Sequence, residues 1–214
     1  MKIALIGATG FVGTPLLTEL LSRGHQVTVL ARNPAKLSAQ AGLTVVKADA
    51  LDAAQVAQAV AGHDAVVSAY NPGWTEPLIH DLFLQGTAAI VAGTKQAGVK
   101  RFLMVGGAGS LFVAPGVQLV DTPQFPAEYK QGALAAREAL NQLKLETSLD
   151  WTFLSPPIIL APGVRTGQYR SGLDNPLPGA GEAPAGISVE DMAVAIVDEL
   201  EKPRHLQQRF TVAN

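Results

Sequence analysis

Cysteine is absent from the 214-residue sequence, which excludes disulfides, thiolate nucleophiles and cysteine zinc sites and fits a reducing compartment. Charge is sparse: charged residues make up 16% of the chain, the formal net charge is −2, and no stretch concentrates Lys and Arg. Nucleic-acid backbones demand such a footprint, so neither DNA nor RNA is expected as a ligand. His25, His63, His80 and His205 lie without metal-ligand spacing, which argues against a metal site. No apolar run approaches the ~20 residues of a membrane-crossing helix, and no membrane partner is expected. The apolar opening from Met1 to Val12 carries one Lys, is broken by Gly7 and Gly10 and lacks a convincing cleavage region. It reads as a first strand, not a secretion signal, and a soluble cytoplasmic protein is expected.

Hydrophobic residues form 48% of the sequence, a balance suited to a parallel sheet covered by helices on both faces. The length suits one domain, residues 1–214, burying roughly 70% of its unfolded surface. Lys2 to Ile6 is a short apolar run, Phe11 to Ser22 repeats apolar residues at helical spacing, Gly24 closes that helix, and Gln26 to Ala31 alternates as a second strand. The alternation continues with a helix from about Pro34, a strand Thr44 to Ala48, a helix Ala53 to Val60, a strand Ala65 to Ala69 and a helix Pro77 to Gln96. Strands Arg101 to Val105 and Trp151 to Leu154 flank a helix Pro126 to Leu143. A last helix, Ile187 to Leu200, is capped by Ser188 with Asp191 in its first turn, and Arg209 to Ala213 is a last strand. Repeated βα units of this length predict an α/β fold, a single Rossmann-type doubly wound parallel sheet, with a small C-terminal elaboration forming a substrate pocket. Residues 106–125 and 161–186 break the rhythm after predicted strands, and read as pocket walls or as plain surface loops.

Gly7-Ala8-Thr9-Gly10-Phe11-Val12-Gly13 lies between a strand and a helix and opens a βαβ unit. Glycines there allow a tight turn and close approach of backbone to a pyrophosphate, while free N–H groups and the helix dipole favour the anion. Gly7, Ala8, Thr9, Gly10, Phe11 and Val12 are therefore expected to bind a dinucleotide. After the second strand, where an NAD enzyme offers an acid to the ribose, the sequence has Ala31-Arg32-Asn33-Pro34. A guanidinium beside a 2′-phosphate is worth about 1 to 4 kcal/mol per close pair. NADP(H) is thus expected ahead of NAD(H), which Arg32 would still tolerate by stacking on adenine; a solvated helix-start arginine is the alternative. Asp49, Ala50 and Leu51 fall where adenine would lie, Asp49 either accepting from its amine or capping the next helix. Ala69, Tyr70 and Asn71 fall beside the nicotinamide ribose by topology.

These residues, with Val-Gly-Gly-Ala-Gly-Ser at Val105 to Ser110, Asp-Trp-Thr-Phe-Leu-Ser-Pro-Pro at Asp150 to Pro157 and Arg-Thr-Gly-Gln-Tyr-Arg at Arg165 to Arg170, resemble the atypical short-chain dehydrogenase/reductases. Within that group the similarity is to the NmrA-like and NADH-flavin-reductase-like proteins, relatives of biliverdin-IXβ reductase, and it spans almost the whole chain. The resemblance implies NADP(H) binding, with Gly106, Pro156 and Pro157 joining the cofactor site, and small flavins, quinones or related aromatic acceptors as substrates. It implies Tyr129 and Lys130 as the candidate catalytic pair. Ordinary members place a Lys four residues after the Tyr, and Ala133 stands there; Lys130 points roughly 100° around the helix. Gly106, Gly107 and Ala108 occupy the usual Ser position, Ser110 coming later, and Ile158 replaces the histidine that follows the paired prolines in biliverdin-IXβ reductase. The expected activity is therefore hydride transfer to a flavin, quinone or similar conjugated acceptor, which positioning alone can support. Trp74, Phe112, Phe125 and Tyr129 are candidates to stack on that acceptor. The alternatives are an NmrA-like NADP(H)-binding redox sensor without catalysis and a nucleotide-sugar epimerase or dehydratase.

Overall fold

The computed structural model describes residues 1–179 and 184–214. Apolar runs bounded by glycine turns form strands, and the amphipathic runs between them form helices. The chain begins β1 (Lys2–Ile6), α1 (Gly13–Ser22), β2 (Gln26–Ala31), β3 (Leu43–Lys47), α2 (Ala53–Val60), β4 (Ala65–Ser68), α3 (Ile79–Gln96) and β5 (Arg101–Val105). A hairpin of β6 (Phe112–Ala114) and β7 (Val117–Gln118) precedes α4 (Ala127–Leu143) and β8 (Asp150–Ser155). Then come β9 (Ile159–Ala161), β10 (Arg170–Gly172), β11 (Gly186–Ser188), α5 (Val189–Glu201) and β12 (Gln208–Ala213).

One eight-stranded sheet has the order β10-β12-β8-β5-β4-β1-β2-β3, and its pairs are parallel except β10 with β12. After β3 the chain crosses back to lay β4 on the other side of β1. This reversal of direction opens a crevice at the carboxyl ends of β1 and β4, the place where Rossmann-type sheets bind ligands. Leu16, Leu20 and Ile196 of α1 and α5 cover one face, and Val56, Phe83, Ile90 and Leu140 of α2, α3 and α4 cover the other. All seven are nearly free of solvent, and each contributes about 1.5–3 kcal/mol by burial. Among the described residues no helix is long and apolar enough to cross a membrane.

Four expectations change. The helix from Pro34 is a single 3-10 turn, Pro34–Lys36, after which Leu37 is extended. Leu37 is the only large apolar residue before Gly42, so a longer helix would have no face to bury. The first helix begins at Gly13, not Phe11, because the glycine turn itself occupies the preceding residues. Ile187 and Ser188 belong to β11, which pairs with β9 across Ile187 and Leu160, although Ser188 still caps α5 by accepting from the Asp191 N–H. The two supposed loops are ordered: 106–125 holds 3-10 turns and the β6–β7 hairpin, and 161–186 holds β10. Residues 180–183 of the second segment lie outside the described residues.

Candidate active site

The glycine turn is built by contact. Gly7 ends β1 at φ +86, and a Cβ there would lie 2.3 Å from the Ala69 carbonyl oxygen at the end of β4. Only glycine lets the two strand ends converge at the crevice. The Gly10 N–H donates to the Gly7 carbonyl at 3.0 Å, and the Thr14 N–H to the Gly10 carbonyl at 3.0 Å. A Cβ on Gly13 would lie 2.0 Å from the Gly7 oxygen, so α1 starts directly against the turn. Among the described residues, the amides of Thr9, Phe11, Val12 and Gly13 have no backbone acceptor outside regular elements, and Pro15 brings no N–H. The result is a set of free donors at the positive end of a helix, with Phe11 exposed beside them.

Arg32 follows β2, is exposed, and makes no hydrogen bond or ion pair among the described residues. Arg32 and Asp49 both act on Tyr70: burial pushes the Tyr70 phenol above its ordinary value, Arg32 draws it down and Asp49 raises it. The three therefore share one region of the crest. Tyr70 donates its hydroxyl to the Leu82 carbonyl at 3.2 Å and rests on Gly86, where a Cβ would lie 2.3 Å from the ring. Asp49 does not cap the following helix. Its carboxylate accepts from the Leu51 N–H at 3.0 Å, leaving Ala50 between them, while Asp52 caps α2 by accepting from Ala54 and Gln55 at 2.9 and 3.1 Å. Asn71 accepts from Gly73 at 2.7 Å and sets the loop after β4.

Gly106 ends β5 under the Phe153 ring, 1.9 Å from where its Cβ would be, and donates to the Leu154 carbonyl at 2.9 Å. Pro156 and Pro157 end the neighbouring β8, so Gly7, Ala69, Gly106 and Pro156 lie along adjacent carboxyl ends. Ser110 is committed elsewhere, since its carbonyl and Oγ accept from the buried Arg209 guanidinium at 2.7 and 3.0 Å. Tyr129 stands half-exposed in the first turn of α4, with Lys130 beside it in solvent. Ala133 is buried, its Cβ 2.8 Å from where a Gly109 Cβ would be, so the Ala108–Ser110 turn closes the position that a ribose-holding lysine would need. Phe112 is drawn under Arg209, 5.8 Å from guanidinium carbon to ring centroid. Trp74 and Tyr129 do come together, edge to face at 5.2 Å.

A cavity of about 190 Å³ lined by Tyr169, Asp198, Glu199, His205 and Phe210 lies between the last turns of α5 and β12. Its acids are already engaged, Asp198 by Arg23 and Tyr169, and Glu199 by Arg101 and His205, so it is a gap in an ion-pair lattice apart from the crest.

A family model for NAD(P)H-binding proteins matches residues 7–203, from the first glycine of the turn to beyond α5. The chain belongs to the NAD(P)H-binding family. It is 40% identical to the uncharacterized protein YwnB of Bacillus subtilis (strain 168), spanning 100% of this chain and 99% of YwnB. It is similar to a Bacteroides thetaiotaomicron structure assigned by name as an epimerase, at 47% identity over 99% of this chain and 96% of that one, TM-score 0.92. It is also similar to a Streptococcus pneumoniae TIGR4 structure assigned by name as an NADH-flavin reductase, at 32% identity over 100% and 99%, TM-score 0.85. The family's relatives are oxidoreductase-like and epimerase-like, and its cofactor is a pyridine nucleotide.

The residues present fit that family's cofactor: the cradle that any Cβ on Gly7 or Gly13 would fill, and the free amides at the start of α1, suit a pyrophosphate. Gly132 and Gly86 were missed in the sequence. Glycine inside a helix costs about 1 kcal/mol relative to Ala, and that cost is the signal that could have marked both as close-approach sites.

Proposed function

We propose that this member of the NAD(P)H-binding family is a reductase that takes hydride from NADPH to a flavin, a quinone or a similar conjugated acceptor. The observation that carries the reading is the closed position at Ala133. An alcohol or sugar oxidoreductase must move a proton on oxygen and needs a phenol tuned by a neighbouring ammonium. Here Tyr129 has no lysine on its face, Lys130 points elsewhere, and Ser110 is held by Arg209. An acceptor that becomes a delocalised anion needs only to be held in place.

The bound nicotinamide supplies the hydride. The free amides of Thr9, Phe11, Val12 and Gly13 would hold the pyrophosphate, Arg32 would meet the 2′-phosphate at the end of β2, and Gly106 and Pro156 would line the far end of the cleft. The flavin-reductase name of the Streptococcus relative agrees with this reading. The epimerase name of the Bacteroides relative calls for a proton relay at the sugar carbon, and Ala133 argues against it. A non-catalytic NADP(H) sensor is also favoured by the missing relay, and turnover separates it from the reductase. Purified protein with saturating NADPH should reduce FMN, FAD or a small quinone above the uncatalysed rate. Failure with all of them, alongside tight nucleotide binding, would overturn the reductase in favour of the sensor.

A further inference from the structure

We propose that Trp74 is the platform on which the acceptor's ring system lies, a specificity-determining residue held by Tyr129 and Gly132; the identity of the acceptor rests on the reductase reading above. The sequence has two tryptophans, and they differ sharply. Trp151 is 3% exposed and donates its indole N–H to the Glu146 carbonyl at 3.1 Å, as a core residue does. Trp74 is 54% exposed. Indole burial is among the largest apolar gains a side chain offers, and Trp74 leaves about half of that area open on a loop held in place.

The surroundings of Trp74 are built, not loose. Tyr129 meets it at 5.2 Å between centroids with an interplanar angle of 85°, the edge-to-face geometry that aromatic quadrupoles prefer. Gly132, one helical turn after Tyr129, lies beneath: a Cβ there would be 2.7 Å from indole Cζ3 and 3.0 Å from Ile79 Cδ1. The supporting loop is tied by Asn71 accepting from Gly73 at 2.7 Å and by the Glu76 carboxylate accepting from Leu78 at 3.2 Å. The indole is thus held by Tyr129 and by the close backbone at Gly132 while about half of it faces solvent.

Its position is the second argument. Trp74 follows the carboxyl end of β4 and Tyr129 opens α4 beyond the end of β5, both on the far side of the β1–β4 crevice from β2 and β3. In a dinucleotide running across the crest from Arg32, that side receives the nicotinamide. Of the other aromatic residues on that side, Phe112 lies under Arg209, and Tyr70 is bonded to Leu82 and seated on Gly86. The ligand class is a planar conjugated ring that can stack offset on indole.

Steady-state kinetics with NADPH and a naphthoquinone test the proposal. Trp74→Ala should raise the KM for the quinone at least about tenfold while the KM for NADPH and the limiting kcat stay within about twofold, and Trp74→Phe should restore most of the loss. Gly132→Ala, a favourable change for a helix in itself, should mimic Trp74→Ala by displacing the indole. FMN should quench indole emission from NADP+-loaded protein saturably and more strongly in wild type than in Trp74→Ala, with weaker FMN binding in Gly132→Ala. An unchanged quinone KM in Trp74→Ala of an enzyme that turns over would overturn the platform and leave the reductase standing. Tighter FMN binding in wild type than in Trp74→Ala without any turnover would uphold the platform and remove the reductase.

Discussion

Gly13 and Gly10 occupy the same turn but carry different duties, and their substitution separates folding from binding. A Cβ on Gly13 would press to 2.0 Å from the Gly7 oxygen, backbone against backbone, with no flexible side chain to yield. Gly13→Ala should cost the fold about 1–3 kcal/mol or more, read as a fall in the chemical-denaturation midpoint. A Cβ on Gly10 would meet only that same oxygen, at 3.3 Å, and otherwise project into open space. Gly10→Ala should leave the midpoint nearly unchanged yet weaken NADPH binding by at least about tenfold in calorimetry, because the methyl stands where the pyrophosphate must approach. Equal affinity in the two proteins would count against a phosphate over this turn. Arg32 makes no side-chain hydrogen bond or ion pair among the described residues, so its replacement should leave the fold's polar contacts in place. Arg32→Asp should weaken NADPH binding far more than NADH binding, by about 1 to 4 kcal/mol for the lost pair alone. Matching losses for both nucleotides would discredit the 2′-phosphate contact.

Arg209 shows what one side chain does for whole elements. It leaves β12 beneath the crest with its side chain only 1% exposed, pairs with Asp174 after β10, and supports Ser110 before β6. Phe112 then donates its N–H to the Asp174 carbonyl at 2.8 Å, and the Asn175 side-chain amide donates to the Phe112 carbonyl at 2.8 Å. The two pocket segments are therefore one knitted unit. Arg209→Met should cost about 1–3 kcal/mol through the stranded Ser110 carbonyl, less than a fully buried pair would, because Asp174 stays half in solvent. Limited proteolysis should cut first within 106–125 and 173–179, and cleavage elsewhere would refute the knit. Nothing in the sequence announces this unit. Hydrophobic period and glycine punctuation made the βα alternation legible from Lys2 to Val105, because those are local properties. The glycine turn and Arg32 were legible for the same reason. The segments after β5 and β8 read as loops because their short strands β6, β7, β9, β10 and β11 have two or three residues each, too few to show a period. Apart from the local β6–β7 hairpin, their order comes from partners distant in sequence, as does the meeting of Trp74 with Tyr129. The helix from Pro34 failed for the reverse reason: good start signals, Asn33 and Pro34, preceded a stretch with no apolar stripe.

Across the whole molecule, three carboxylates clip distant segments of the chain together, and all three are held below their ordinary pKa. Hydrogen bonds from Arg165, then Arg23, hold down Glu19 against the cost of its burial. Burial pushes Asp191 up, but donors from Thr166 and Gly167 outweigh it. The Lys95 ammonium, with Ser148, draws Glu146 from 4.5 down to about 2. Glu19 and Asp191 fasten residues 163–169 across α1 and α5, and Glu146 fastens the end of α4 to the last turn of α3. A carboxylate with a lower pKa folded than unfolded adds stability above its unfolded value and loses it as pH falls through its folded value. For Glu146 that window runs from 4.5 down to about 2. Thermal midpoints should therefore fall steadily on acidification through this range. Glu146→Gln should flatten the decline and lower the midpoint at neutral pH, where the wild-type ion pair is complete. Lys95 is 44% exposed, so salt screens the pair, and raising ionic strength should shrink the difference between wild type and variant. Parallel pH profiles for the two proteins at low salt would show that the acid sensitivity lies instead with Glu19 and Asp191. Protease cleavage within 163–169 on acidification would then report the release of that strap directly.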